Sequence, residues 1–133
     1  MTEAPRIYPT FRYRDPSAII TWLCDTVGFT AHIRHLAEGE VAHAELAYGS
    51  SMIMPGPVQD DAYGAVVGLP GQNGGTSIYV AVSDVEALHA PVAASGVTIE
   101  EGLVDRDCGS REFICRDPEG NLWCFGTYWP RAK

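Results

Sequence analysis

The chain is poor in positive charge and contains no long apolar run. Nine Lys and Arg residues stand against 17 Asp and Glu residues, which gives a formal net charge of -8. Because phosphate binding needs a concentrated basic surface, this charge argues against nucleic acid and membranes as partners. No run approaches the roughly 20 apolar residues of a membrane helix, and the polar N-terminus is unlike a secretory signal. We therefore expect a cytoplasmic protein.

Cysteine is also scarce, and its spacing fits neither a zinc finger nor a redox motif. Cys24, Cys108, Cys115 and Cys124 include no CxxC pair. In a chain without an export signal, buried free thiols are more common than disulfides, so we expect free thiols. The apolar content of 46% is ordinary for a soluble globular protein of this length, which predicts a single domain.

The first part of the chain has the order β-α-β-β-β. An alternating run over residues 7–13 stops at Asp15 and Pro16, which suit the N-cap and the first position of a helix. Apolar residues then recur at helical spacing up to Gly28, a residue that suits a C-terminal cap. The next three predicted strands cover residues 29–36, 41–48 and 51–54.

The same order returns after a segment rich in Pro and Gly. A predicted strand at 77–82 precedes Asp84, which suits a second N-cap, and Gly96 suits the end of that helix. A strand at 97–100 and a hairpin around residues 117–120 complete the pattern.

The repeat predicts an α+β fold of two βαβββ modules within one domain of residues 1–133. The first module covers about residues 6–55 and the second about residues 76–128. The segment between them, about 56–75, is predicted to be a linker or a mobile lid.

Several motifs carry a family resemblance that covers nearly the whole chain. They are Arg12-Tyr-Arg-Asp15 with Val27-Gly-Phe29, His43-Ala-Glu-Leu46, Tyr79-Val-Ala-Val-Ser-Asp84 and Arg116-Asp-Pro-Glu-Gly-Asn-Leu-Trp123. The chain thereby resembles the vicinal oxygen chelate superfamily of glyoxalase I, bleomycin-resistance proteins and extradiol dioxygenases, and most of all its non-enzymatic bleomycin-resistance branch. The resemblance implies that each module forms a half-barrel, that paired half-barrels enclose a cavity, and that the protein is a homodimer.

Enzymes of this superfamily hold a divalent metal with His and Glu at equivalent strand positions. In this sequence those positions fall on Tyr8, Ser77 and Cys124, and an additional glyoxalase position falls near Met52 or Met54. A phenol and an aliphatic hydroxyl are poor metal ligands at neutral pH, and one cysteine cannot form a site. We therefore expect no metal and no cofactor.

His43 and Glu45 are the remaining candidates for catalysis. Their spacing of two places both side chains on one face of a strand, while Ala44 and Leu46 lie on the other. The pair could be a catalytic His oriented by a carboxylate, half of a nonstandard metal site, or a surface ion pair. We expect His32, His35 and His89 to be exposed surface residues.

A four-residue turn at 117–120 would place Phe113 opposite Cys124 and Cys115 opposite Leu122. With that register, the resemblance implies a mostly apolar cavity with a few polar groups, including an Arg, which suits a small organic ligand, neutral or anionic. The predicted ligand-binding residues are Tyr8, Thr10, Arg12, Ser77, Tyr79, Arg111, Phe113 and Cys124.

The sequence therefore favours a metal-independent binder that sequesters a small organic molecule. The alternative is an enzyme, either a metal-dependent lyase, isomerase or dioxygenase with a nonstandard site or a metal-free acid–base catalyst, using His43 and Glu45. An interaction module whose cavity is filled by its own side chains is the third possibility.

Overall fold

The computed structural model of the protein describes residues 4–72, 74–107 and 109–131. The chain divides into two compact units, Met1–Pro70 and Gly71–Lys133, and each contains one four-stranded sheet. Cys108 lies outside the described residues. Within them, no helix has the length and apolar character needed to cross a membrane.

The two units contain the following helices and strands. The first has β1 (Thr10–Tyr13), α1 (Pro16–Trp22), β2 (Thr30–Ala37), β3 (Glu40–Tyr48), β4 (Ser51–Pro57) and α2 (Ala62–Val67); α1 continues into a π-helical turn over Leu23–Val27. The second has β5 (Ile78–Ala81), α3 (Val85–Ala94), β6 (Ile99–Asp105), β7 (Arg111–Arg116) and β8 (Leu122–Gly126).

The two sheets have the same topology. Their strand orders are β1-β4-β3-β2 and β5-β8-β7-β6, and in each the first strand pairs in parallel with the last strand of its module. The remaining pairs are antiparallel. The predicted α+β architecture of two βαβββ modules is confirmed.

Matching caps explain why α1 and α3 begin at corresponding points. The Oδ1 atom of Asp15 accepts a hydrogen bond from the backbone N of Ala18 at 3.1 Å, which satisfies one free donor of α1. Asp84 caps α3 through the backbone N of Ala87 at the same distance. The first helix ends at Gly28, whose φ of 110° is a conformation that favours glycine.

The core of the first unit lies between α1 and one face of its sheet. Tyr13 on β1 is fully buried there, and Phe11 stacks on it at 5.6 Å between ring centroids. Ile7, the first residue of the predicted strand 7–13, lies before β1 and is 87% exposed. The other buried apolar residues include Ile19, Ile20, Leu23, Ala44, Leu46 and Ile53.

The core of the second unit is aromatic. Phe125 stacks with Phe113 at 5.3 Å and with Trp123 at 6.2 Å between centroids, and all three rings are fully buried. His89 on α3 meets the Phe113 ring edge-on at 5.0 Å. His89 is therefore half-buried against the core, whereas the sequence predicted an exposed residue.

The predicted register of the β7–β8 hairpin is wrong by one residue. Asp117 N donates to Asn121 O at 2.8 Å, which leaves a loop of three residues, 118–120, instead of four. Gly120 has a φ of 95°, the left-handed conformation that commonly closes a three-residue hairpin loop. Phe113 consequently pairs with Phe125, and Cys124 pairs with Ile114.

This shift moves whole sets of side chains between the faces of the sheet, because side chains alternate along a strand. Phe113 and Cys115 lie on the buried face with Trp123, beneath α3. The face that α3 does not cover carries Cys124 and, from β7, Glu112 and Ile114 in place of Arg111 and Phe113.

Asp117 holds the loop in this conformation. Its side chain is buried, and Oδ1 accepts hydrogen bonds from the backbone N of Glu119 at 3.0 Å and of Asn121 at 3.1 Å. Its second oxygen accepts the indole N–H of Trp123 at 3.0 Å. One carboxylate thus joins the loop to the largest side chain of the core.

We predict that Asp117→Ala lowers the free energy of unfolding by about 3 kcal/mol or more, because three donors lose a charged acceptor. Urea unfolding followed by tryptophan fluorescence measures this. The control is Pro118→Ala in the same loop, which changes an exposed residue and should cost about 1 kcal/mol or less. Equal stabilities of the two variants would contradict the assigned role of Asp117.

Candidate functional site

Each sheet has one face covered by its helix, α1 or α3, and a second face that the helix does not cover. We call the second the open face. On the first sheet the alternation of the strands places six side chains there: Thr10 and Arg12 from β1, Met52 and Met54 from β4, and His43 and Glu45 from β3. Four of the predicted site residues are therefore brought together on this face.

His43 and Glu45 are hydrogen-bonded to each other on this open face. Nε2 of His43 lies 3.2 Å from Oε2 of Glu45, and both side chains are half-buried. His35 on β2 pairs directly with His43, and the two rings stack with centroids 5.9 Å apart. The carboxylate thus orients the His43 ring, as the sequence pattern allowed.

Arg12 is held by α2 and the residue before it. Its Nη1 atom lies 3.3 Å from Oδ1 of Asp61, and its guanidinium carbon lies 4.7 Å from the centre of the Tyr63 ring. The hydroxyl groups of Tyr63 and Thr10 are 3.3 Å apart. The segment predicted as a linker or lid therefore contains a short helix that contacts the first β-strand.

A groove of about 280 Å³ lies beside Arg12. Its walls come from the segment after β4 and from α2, and they are mostly apolar or small. The lining residues are Arg12, Val58, Gln59, Asp60, Gly64, Ala65, Gly68 and Leu69.

The open face of the second sheet is centred on Tyr79 and Cys124, which are register partners on β5 and β8. The Tyr79 hydroxyl donates to the carbonyl of Tyr128 at 2.7 Å, and the residue is 36% exposed. Gly126 gives this ring its room, since a Cβ there would lie 2.7 Å from the Tyr79 hydroxyl oxygen.

A hydrogen-bonded cluster occupies the same face. The Cys124 thiol lies 3.7 Å from Oε1 of Glu112, a carboxylate whose side chain is only 14% exposed. Arg106 Nε donates to the same oxygen at 3.1 Å, and the guanidinium also bonds Glu101. Arg106 therefore offsets much of the charge that Glu112 would otherwise bury.

This environment keeps Cys124 protonated at neutral pH. Burial, and next the negative charge of Glu112, raise the pKa of the Cys124 thiol to about 11. Burial also raises the pKa of Cys115 to about 12, and that residue lies on the other face of the sheet. The two cysteines do not form a thiol pair on one face, and neither has the lowered pKa of a reactive cysteine.

The remaining predicted site residues lie elsewhere. Tyr8 precedes β1 and its hydroxyl donates to the carbonyl of Pro5, while Ser77 is exposed just before β5. Phe113 is fully buried in the core, and Arg111 pairs with Glu86 on α3 at 3.3 Å. The prediction that Phe113 and Arg111 share a face with Cys124 is wrong, because it depended on the incorrect hairpin register.

The side chains at the family's metal positions do not fit a divalent metal. Tyr8 and Cys124 use their hydrogens as donors to Pro5 and Glu112, so neither presents a deprotonated ligand. The part of the chain that the structure describes contains no group of three or more His, Cys, Asp or Glu residues arranged to hold a metal ion.

Sequence reasoning missed four residues that shape these faces: Asp61, Tyr63, Arg106 and Glu112. Asp61 could have been found from its spacing to Gly64, since an N-cap carboxylate bonds the backbone three residues on. Placing Glu112 beside Cys124 required the correct length of the β7–β8 loop. Nothing in the sequence pattern marks Tyr63, because its partners Thr10 and Arg12 are distant along the chain. The partners of Arg106, Glu101 and Glu112, are only five and six positions away, but they lie on the two strands that flank it and no motif marks the pairing.

Comparison with known proteins agrees with this architecture. The family model described as Glyoxalase/Bleomycin resistance protein/Dioxygenase superfamily matches residues 7–125. The solved structure of TioX from Micromonospora sp. ML1 is 29% identical, with a TM-score of 0.77 over 94% of this chain and 99% of that one. Among proteins with curated descriptions, no sequence matches this chain significantly.

Two further solved structures share the fold at lower identity. TnmS3, described as an antibiotic binding protein from Streptomyces sp. CB03234, is 16% identical with a TM-score of 0.69 and covers 93% of this chain and 97% of its own. A superfamily member from Sphaerobacter thermophilus DSM 20745 is also 16% identical, with a TM-score of 0.71 and coverages of 92% and 97%.

We predict that iodoacetamide alkylates Cys124 slowly at pH 8, and that the rate rises about tenfold per pH unit up to pH 10 without a plateau, since only the thiolate reacts. Glu112→Gln removes the negative charge that raises the thiol pKa and should accelerate the reaction at pH 8. Peptide mapping by mass spectrometry follows Cys124 separately from buried Cys115, the internal control. A wild-type plateau below pH 9 would contradict the raised pKa.

Proposed function

Because the chain belongs to the Glyoxalase/Bleomycin resistance protein/Dioxygenase superfamily, we propose that it binds a small organic molecule on the open faces of its sheets without a metal. Its action is sequestration, in which no covalent bond of the ligand is made or broken. The resident side chains supply the contacts, and no cofactor takes part.

The main support for this proposal is the hydrogen-bonded cluster of Cys124, Glu112 and Arg106. At the position where the superfamily's metalloenzymes place a carboxylate ligand, this chain has a protonated thiol directed at Glu112. Glu112 in turn is occupied by Arg106. A thiol and a neutralised carboxylate favour ligand contact over metal coordination.

The composition of the open faces also supports binding. Tyr79 offers a partly exposed ring for stacking, and Met52 and Met54 offer flexible, polarisable surface that adapts to an apolar ligand. Arg12 and Thr10 supply a few polar groups among these. Such a mixture is typical of sites for small organic molecules.

An antibiotic-like aromatic compound is the ligand class we propose. The support is an analogy: TnmS3 is described as an antibiotic binding protein and has the same fold. At 16% identity the likeness carries only the fold, so the ligand class is an inference from the fold together with the exposed Tyr79 ring.

We also propose that the protein is a cytoplasmic homodimer, as superfamily members commonly pair their modules between chains. Light scattering on the purified protein is expected to give twice the chain mass of 14.4 kDa. A mass of one chain at all concentrations up to about 100 μM would contradict the dimer, since it would place the dissociation constant above that range.

An enzyme is the second candidate, and the hydrogen bond between His43 and Glu45 is the observation that favours it. A His oriented by a carboxylate can act as a general base, or can join a nonstandard metal site of a lyase, isomerase or dioxygenase. Stoichiometric metal in protein purified without a histidine tag, lost on His43→Ala, would decide for the metal-dependent enzyme.

We predict that wild-type protein dialysed against EDTA still binds one or more members of a panel of bleomycin and hydroxyaromatic compounds, measured by calorimetric titration. Tyr79→Ala should weaken that binding about tenfold, the usual effect of removing an aromatic contact residue. Tyr79→Phe keeps the ring and removes only the hydroxyl group, including its hydrogen bond to the Tyr128 carbonyl, so it should retain most of the affinity.

Thr21→Ala is the matched control, because Thr21 is exposed on α1, which lies on the opposite side of the first sheet from its open face. Binding that disappears with EDTA and returns with a divalent metal would contradict metal-independent recognition. Equal losses of affinity for Tyr79→Ala and Thr21→Ala would show that Tyr79 is not part of the binding site.

A further inference from the structure

We propose that α2 is a latch on the open face of the first sheet, and that a small planar organic carboxylate opens it by replacing Asp61 as the partner of Arg12. The ligand's ring then lies in the groove beside Arg12. This inference rests on the proposed function, since it assigns one ligand chemistry to one of the two open faces.

The helix α2 is held by side-chain contacts and not by a hydrophobic core. None of its residues is buried, and Val66 is 84% exposed. The helix contacts β1 at Arg12 and Thr10, through Asp61 and Tyr63. Exposed ion pairs and hydrogen bonds of this kind are individually weak, so a ligand with modest affinity can compete with them.

Arg12 has unused capacity for a carboxylate. Its side chain is only 20% exposed, yet it contacts Asp61 through one nitrogen and one oxygen, Nη1 and Oδ1. Within the described residues, this is the one hydrogen bond that the guanidinium makes. A free carboxylate can bind a guanidinium through two parallel hydrogen bonds, a stronger arrangement than the single contact it replaces.

Tyr63 keeps Arg12 in place for this exchange. The ring lies against the guanidinium at 4.7 Å, a distance that is attractive for a cation and an aromatic face. A planar ligand that reaches Arg12 from the groove therefore meets a guanidinium whose position is fixed until α2 moves.

The size and lining of the groove limit the ligand. Its volume of about 280 Å³ lies at the lower end of small-molecule sites, which suits a single ring bearing a carboxylate. Val58, Ala65 and Leu69 provide apolar surface for the ring.

Asp61 can leave Arg12 without losing its place in the helix. Its Oδ1 atom also accepts the backbone N of Gly64 at 2.7 Å, which caps α2. Asn caps helices about as well as Asp does, so Asp61→Asn weakens the ion pair and preserves the cap. This substitution isolates the contact that the latch depends on.

The test uses benzoate as the carboxylate probe and benzamide as its neutral analogue, titrated while NMR follows the backbone amides of Gly64 and Gly68. Benzoate should shift both amides in the wild type, and Arg12→Gln should abolish the shift. Asp61→Asn should bind benzoate about two to five times more tightly, the fold-change that corresponds to an exposed ion pair. Benzamide should bind all variants more weakly.

Asp60→Asn is the matched control, because Asp60 lines the same groove but does not contact Arg12. Asp61→Asn should increase the affinity for benzoate more than Asp60→Asn does. Equal increases would show that only the loss of a repelling negative charge matters, and would overturn the latch. Thr10→Val, which removes the bond to Tyr63, should also tighten binding, and an unchanged affinity would show that α2 does not move.

Failure here can be distinguished from failure of the proposed function. Ligand binding through Tyr79 is measured on the second unit, so an absence of benzoate binding would remove the latch and leave that result intact. If benzoate binds but no compound of the bleomycin and hydroxyaromatic panel does, the result would support the latch and not the proposed ligand class.

Discussion

The buried Asp117 carboxylate is the constraint on which the second open face depends. It accepts two backbone donors of the β7–β8 loop and the indole N–H of Trp123, and so fixes the loop at three residues. Loop length sets the register, and the register decides that Glu112, not Phe113, accompanies Cys124. The chemistry of this face therefore follows from a structural residue on the edge of the core.

The architecture could be predicted from local signals, because caps and stops act over a few residues. Asp15, Asp84 and Gly28 lie at the helix boundaries where the sequence placed them. The hairpin register could not be predicted in the same way. Asp117-Pro118-Glu119-Gly120 suits a turn of three or four residues. The three-residue loop goes with a hydrogen bond from the Trp123 indole, six residues after Asp117, to the Asp117 carboxylate, and sequence pattern alone does not show on which face that indole lies.

Only part of the candidate site could be predicted, because the sequence pattern shows local relations and not contacts between separate elements. Thr10, Arg12, His43 and Glu45 share a face because alternation along a strand is a local property. Their partners are not local: Asp61 and Tyr63 reach Arg12 across about 50 positions of sequence. These contacts show that Cys124 is a protonated thiol beside Glu112, whose charge Arg106 offsets. They also show that Arg12 already binds a carboxylate of the protein, that of Asp61. Both arrangements favour reversible binding.

Co-crystallisation of tag-free, EDTA-treated protein with the tightest-binding member of the bleomycin and hydroxyaromatic panel tests the central claim most directly. The account predicts ligand density against an open face, in contact with Tyr79 or Arg12, with no metal between ligand and protein. Density for a metal ion bridging the ligand to His43 and Glu45, or a ligand bound away from both open faces, would contradict it.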